Sequence, residues 1–211
     1  HELNNPLTSI LCLGELLQEQ SAGELLDSLV QEAGRCRKLV ADLLQVARKE
    51  QAEMAPVQLG EVVESTLPMI RKQFDKDGVE LEVESSSDLS PVLGNPDHLR
   101  QVVLNLLSNA LSAVGQQGHG KVELRVIERG GRVLLVVGDN GPGIQPRDLG
   151  RIFDPFFTTK AAGEGTGLGL SILQKIVTDH RGTVQVSNRA GGGALFTVEL
   201  PIAAVEPAEA S

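Results

Sequence analysis

From Leu29 onward the apolar residues fall at Leu29, Ala33, Cys36, Val40, Leu43 and Ala47, in alternating steps of four and three. That spacing lays one narrow apolar stripe along an α-helix, the seam by which a helix packs on other helices. The opening stretch repeats it with Leu3, Leu7, Ile10, Gly14 and Leu17, and EQSAGE (residues 19–24) lies between the two as a short polar turn. Two helices joined in this way make an antiparallel hairpin. One hairpin buries two seams poorly, so the pattern predicts pairing with a second copy into a four-helix bundle.

The seam stops at EMAPVQLGE (residues 53–61), where Pro56 breaks the helical pattern, and a mixed one follows. Residues 59–74 read as a helix that Pro68 should kink or shorten. VELEVE (79–84) alternates with period two, as a half-buried strand does. Asn95 as N-cap and Pro96 at the first helical position predict a helix over 96–114. KVELRVIE and RVLLVVGD flank Gly130-Gly131 as a hairpin. A helix over 167–180 precedes GTVQVSN and ALFTVEL, which flank Gly191–Gly193 as a second hairpin. Strands and helices mix without regular βαβ alternation. The predicted fold is therefore α+β: a helical hairpin (1–54), an α/β sandwich with helices on one face of a mixed, mostly antiparallel sheet (55–204), and a disordered tail (205–211).

Trp and Tyr are absent and there are five Phe, so aliphatic side chains must build the core. The net charge of −9 argues against non-specific nucleic-acid binding, which needs cations to replace phosphate counterions. Cys12 and Cys36 are too few for a disulfide framework and lack metal-site spacing; both read as small buried hydrophobes. No run reaches about 18 apolar residues, and no signal peptide is recognisable, so no membrane contact is expected of this stretch.

Four stretches exceed what packing calls for. LRQVVLNLLSNAL (99–111) sets Asn105 and Asn109 four residues apart on one helical face, either a solvent-side pair or a polar stripe for a ligand and metal ion. GDNGPGI (138–144) ends an apolar strand on Asp139, followed by a turn flanked by Gly141 and Gly143; the carboxylate there can accept from an amino group in a pocket. FDPFFTTK (153–160) gathers three Phe in a loop that ends on Lys160, as a satellite core or a hinged lid. GEGTGLGLSI (163–172) leads glycines into a helix N-terminus, which suits a phosphate chain; no Walker-type lysine follows it.

The order HELNNPL, NLLSNA, DNGPGI, FDPFFTTK, GTGLGL resembles the transmitter core of two-component sensor histidine kinases over nearly the whole chain. The FDPFFTTK form and Ser112, where many such kinases carry Lys, look closest to the nitrogen-regulation and C4-dicarboxylate sensor branch. The resemblance implies an ATP-binding domain with the fold of gyrase and mismatch-repair ATPases. In it Asp139 would bond the adenine amino group, and Asn105 would ligate Mg²⁺. Asn109 would help hold phosphates and metal, with Gly141 and Gly143 shaping the adenine pocket. Gly165, Thr166, Gly167, Leu168 and Gly169 would form the phosphate run and let a lid over 153–166 move, with Lys160 as a phosphate contact. Asp97 and Arg100 stand where the family places an acidic residue, and their role stays open.

His1 would then be the phosphoacceptor, Glu2 its hydrogen-bond acceptor and base, and Asn5, one turn on, a residue for the reverse, phosphatase reaction. Pro6 would bend the helix beside them. The implied partners are a second copy through the hairpin and the receiver domain of a response regulator, in the cytoplasm, free or as part of a membrane-bound sensor. Two other classes share the fold: a gyrase-like ATPase that uses ATP to drive dimer closure, and a non-catalytic adaptor. A phosphoacceptor belongs mid-helix, so the sequence is expected to be part of a longer sensor, with a weakened dimer. His98, His119 and His180 fall in no motif and read as surface residues.

Overall fold

The computed structural model describes residues 53–115, 119–160 and 166–203, and, in the N-terminal part, Leu11, Gly14, Val30, Ala33, Gly34, Cys36 and Val40. Those seven are all helical. His1, Glu2, Asn5, Pro6, Cys12, Gly165 and the tail 205–211 lie outside the described residues. Leu11 and Ala33 are buried, but Cys36 is exposed, which corrects the expectation of a buried thiol. Exposure costs a thiol little, because the side chain is small and carries little apolar area.

The order of elements is β1 (Ala55–Val57), α1 (Leu59–Asp77), β2 (Glu80–Ser85), β3 (Val92–Gly94), α2 (Pro96–Val114), β4 (Lys121–Arg129), β5 (Arg132–Asp139), α3 (Gly169–Asp179), β6 (Thr183–Asn188) and β7 (Ala194–Pro201). β1 and β3 form a short antiparallel ribbon, and the others a five-stranded sheet in the order β2-β4-β5-β7-β6. Only β2 and β4 run parallel; the remaining neighbours are antiparallel. Val122, Leu124 and Val126 on β4, Val133, Leu135 and Val137 on β5, and Phe196, Val198 and Leu200 on β7 alternate onto one face. There they meet the apolar stripes of the three helices in a single core. Only Phe74 and Phe196 bring buried aromatic rings to it, as the aliphatic composition requires.

Local chemistry sets the boundaries. Asn95 caps α2 through Oδ1, which accepts from Asp97 N and His98 N, each at 3.0 Å. Gly130 and Gly131 both take positive φ (61° and 72°), the geometry a two-residue hairpin turn needs. α1 runs unbroken through Pro68 to Asp77, longer than the sequence predicts. Pro68 and Glu64 both lie on its exposed side, so the carbonyl freed by the missing N–H meets water. α3 starts two residues later than predicted because Gly167 has φ 67°, outside the helical region.

His180 departs furthest from expectation: it is 2% exposed, not a surface residue. Its Nδ1–H donates to the Ile176 carbonyl at 2.7 Å, and Nε2 accepts from Asn95 N–H at 3.0 Å, so the neutral ring ties the end of α3 to the cap of α2. A Cβ on Gly94 would sit 2.8 Å from His180 Cδ2, so that glycine makes room for the ring. Burial holds the imidazole below its ordinary pKa; the Ile176 carbonyl opposes this, His98 adds to it and Asp179 opposes it. The unfolded chain therefore binds a proton where the folded one does not. Stability from this group is complete above about pH 6.5 and is lost as pH falls toward the folded value. We expect the thermal midpoint to drop between about pH 7 and about pH 5, and to drop less in His180→Gln. Parallel curves for the two proteins would contradict this.

Candidate functional site

The carboxyl end of β5, the middle of α2 and the start of α3 converge. Asp139 ends β5 with 3% of its surface exposed. Its Oδ1 accepts from Gly141 N at 2.8 Å and from Ala194 N at 3.2 Å, which fixes the carboxylate and leaves Oδ2 for an incoming donor. Burial pushes the Asp139 carboxyl up; the two backbone N–H groups and the positive charge of Arg189 oppose that. Gly141 fills the gap between this carboxylate and α2: a Cβ there would lie 2.9 Å from Asp139 Oδ1 and 3.1 Å from the Ala113 carbonyl oxygen. Gly143 takes φ 74° against Asn188.

On α2, Asn105 and Asn109 are both half-buried. Asn105 Nδ2–H donates to the Gly169 carbonyl at 3.0 Å, which orients the carboxamide so that its Oδ1 stays available as a neutral oxygen ligand. The stripe thus meets the first residue of α3. There Leu168 N donates to Thr166 Oγ1 at 3.3 Å, and Gly169 leads the helix N-terminus. Leu168 is 1% exposed, its side chain in the core, so only its backbone can serve a ligand. Lys160 is half-buried, and its N–H donates to Thr158 Oγ1 at 3.2 Å.

The two ends of the loop are clasped. Phe156, at φ 67°, donates its N–H to the Gly167 carbonyl at 2.9 Å, and its ring is 62% exposed. A Cβ on Gly167 would lie 2.4 Å from the Phe156 carbonyl carbon. Asp97 and Arg100, left open by the sequence, pair with each other in the first turn of α2.

Sequence reasoning missed the contribution of SNRAGGGA. Asn188 Oδ1 accepts from Ile144 N at 2.8 Å while its Nδ2 donates to Ile144 O at 2.7 Å, so one side chain does the work of a strand and clamps the DNGPGI loop. Gly193, at φ 89°, presses so closely on Asp139 that a Cβ would sit 1.9 Å from its carbonyl oxygen. Three consecutive glycines are more than a hairpin turn needs, and that excess was the available signal. Among the described residues no group of three or more His, Cys, Asp or Glu could hold a metal ion, and no helix is long and apolar enough to cross a membrane.

A buried, fixed carboxylate at the end of a sheet strand, and a carboxamide stripe that meets a glycine-led helix N-terminus, are what a nucleotide-binding α/β sandwich needs. The chain belongs to the family of histidine kinase-, DNA gyrase B- and HSP90-like ATPases, which matches residues 94–204; a His Kinase A (phospho-acceptor) domain matches residues 1–52. It is 37% identical over 210 residues to the sensor histidine kinase ZraS of Salmonella typhimurium, a match over 97% of this chain and 44% of that protein. The chain thus spans less than half the length of that relative. Among solved structures it resembles full-length ShkA in complex with AMPPNP (TM-score 0.79, 29% identity, 96% of this chain and 44% of that one). It also resembles histidine kinase ThkA in complex with the response regulator protein TrrA (TM-score 0.72, 26% identity, 96% of this chain and 59% of that one).

Proposed function

We propose that this chain is the core of a sensor kinase that phosphorylates itself on His1 from Mg·ATP and passes the phosphoryl group to an Asp of a response regulator. Residues 1–54 would supply the dimerising, phosphoaccepting hairpin, and 55–204 the ATP-binding domain. The observation that carries the reading is Asp139: a buried carboxylate with one oxygen saturated by backbone N–H groups and the other open suits the amino group of adenine. Asn105 would lend its Oδ1 to Mg²⁺, and Asn109 would help hold phosphates and metal. A single neutral carboxamide, with no acidic cluster among the described residues, fits an ion that arrives on its nucleotide and keeps its other ligands from phosphate and water. Bound there, the ion would neutralise charge on the phosphates. Gly167, Gly169 and the backbone of Leu168 would allow close approach to the phosphates, with Gly165, Thr166 and Lys160 in the lid beside them.

The chemistry at the hairpin is transfer in line. A neutral imidazole nitrogen of His1 forms the N–P bond as the bond from γ-phosphorus to the bridging oxygen breaks and ADP leaves. Glu2 accepts the proton held on the other ring nitrogen and so keeps the attacking nitrogen unprotonated. Asn5 would orient water for the reverse, phosphatase reaction. Two copies would pair through the hairpin, and a receiver domain would dock against it.

Radioactive ATP supplied to the dimer should leave a label that is acid-labile and base-stable, and His1→Gln should abolish it. Phosphate release without label would instead mark an ATPase that drives closure, and neither outcome an adaptor.

A further inference from the structure

Arg189 opens the β6–β7 turn, where a turn alone calls for no cation. Its backbone closes the turn: its N–H donates to Gly193 O at 2.9 Å, and its carbonyl accepts from Gly192 N at 3.1 Å. Its side chain leaves the turn and crosses the sheet. Nη1 lies 3.5 Å from the Asp139 carbonyl oxygen, and Nη2 lies 3.3 Å from Glu123 Oε2 on β4. Gly138, on β5, lets it cross: a Cβ there would be 3.1 Å from Arg189 Nη1. Glu123 is already held by Arg125 Nη2 at 3.2 Å, with Lys121 Nζ at 4.0 Å, so it does not need Arg189 as its counter-charge.

We propose that Arg189 is a positioning residue of the adenine pocket, tying the main chain of Asp139 to β4 and placing positive charge behind the buried carboxylate so that Oδ2 meets the adenine amino group as an acceptor. The inference rests on the nucleotide reading above. A protonated Asp139 would offer an O–H to a group that is itself a donor, and binding would fail. Burial favours that protonated form; the N–H groups of Gly141 and Ala194, then Arg189, oppose it. Among the charges around it, Arg189 is the one that acts on Asp139, while Glu123 pairs with Arg189 and is itself held by Arg125 and Lys121.

The test is calorimetric titration of ATP into the full chain between about pH 4.5 and pH 8, for the parent, Arg189→Gln, Arg189→Lys and Gly138→Ala. Parental affinity should fall on the acid side as Asp139 takes a proton. Arg189→Gln should bind roughly tenfold more weakly at neutral pH, with its acid limb moved up by about one pH unit. Arg189→Lys should return the limb toward the parent, and Gly138→Ala, which pushes the guanidinium aside, should shift it as Arg189→Gln does. Affinity lost equally at every pH, or a limb that Lys does not restore, would reduce Arg189 to a structural residue and overturn the proposal. Should Arg189→Gln fail to fold, an unmoved limb in Gly138→Ala overturns it on its own. If the parent binds no ATP, or Asp139→Asn binds it as the parent does, the nucleotide reading itself has failed and the inference falls with it.

Discussion

Asp139→Asn should cost the chain its ATP affinity, by about 100-fold or more, while leaving the fold in place. The two oxygens of the carboxylate have different duties. Oδ1 takes the N–H groups of Gly141 and Ala194, and Oδ2 is left for the adenine amino group proposed above. A carboxamide has one acceptor and one donor end. If its oxygen stays with the two backbone groups, its NH₂ points at a ligand that is also a donor. If it flips, two buried N–H groups lose their acceptor. Both arrangements set donor against donor, and the cost of a buried unmet group decides the outcome. Isothermal titration with ATP checks the affinity and a thermal melt checks the fold. Binding within a few-fold of the parent would remove Asp139 from the pocket.

Gly193→Ala is expected to do damage of comparable size by a different route. The added Cβ would lie 1.9 Å from the Asp139 carbonyl oxygen and 2.6 Å from its carbon, both of them backbone atoms that cannot swing aside. With φ at 89°, an L-residue is strained there even before the clash. Relief requires the turn to lift, and the turn carries Ala194 N and Arg189, both engaged with Asp139. The substitution should therefore remove ATP binding and destabilise the domain by about 3 kcal/mol, a fall of roughly 6–12 °C in thermal midpoint for a unit of this size. Gly191 is the control: a Cβ there meets nothing within 4 Å, and Gly191→Ala should stay within about 0.5 kcal/mol of the parent. Equal melting curves for the two variants would contradict the argument.

Much of this architecture is legible in the sequence where the determinants are local. Asn95-Pro96 carries the start of α2 in its own side chains, and Gly130-Gly131 carries a hairpin turn in its own backbone. The candidate site residues on α2 and at the end of β5 draw notice for a related reason: Asn and Asp stand out against apolar periodicity. What escaped depends on partners far along the chain. His180 looks like an ordinary polar residue after a helix; Ile176 O on its own helix meets one ring nitrogen, but the other depends on Asn95 N–H, 85 residues away in sequence. Asn188 becomes a clamp only when Ile144, 44 residues away, arrives beside it. Arg189 likewise needs Glu123 and the bare backbone of Gly138 on two other strands. The helix through Pro68 is legible, but its run on to Asp77 is not, because the left-handed cap at Gly78 (φ 65°) sets the stop after the apolar spacing has ended at Phe74.

The clasp between Phe156 and Gly167 divides its requirements unequally. Phe156 contributes main-chain atoms and the strain of a positive φ, while its ring stands in solvent. Gly167 contributes the absence of a side chain. One partner therefore tolerates a change of its exposed side chain, with Asn or Gly relaxing the backbone and β-branched residues straining it further; the other accepts none. The clasp is fixed on the inside and open to variation on the outside. The side chain at position 156 is thus presented to the outside by a contact that only main-chain atoms make.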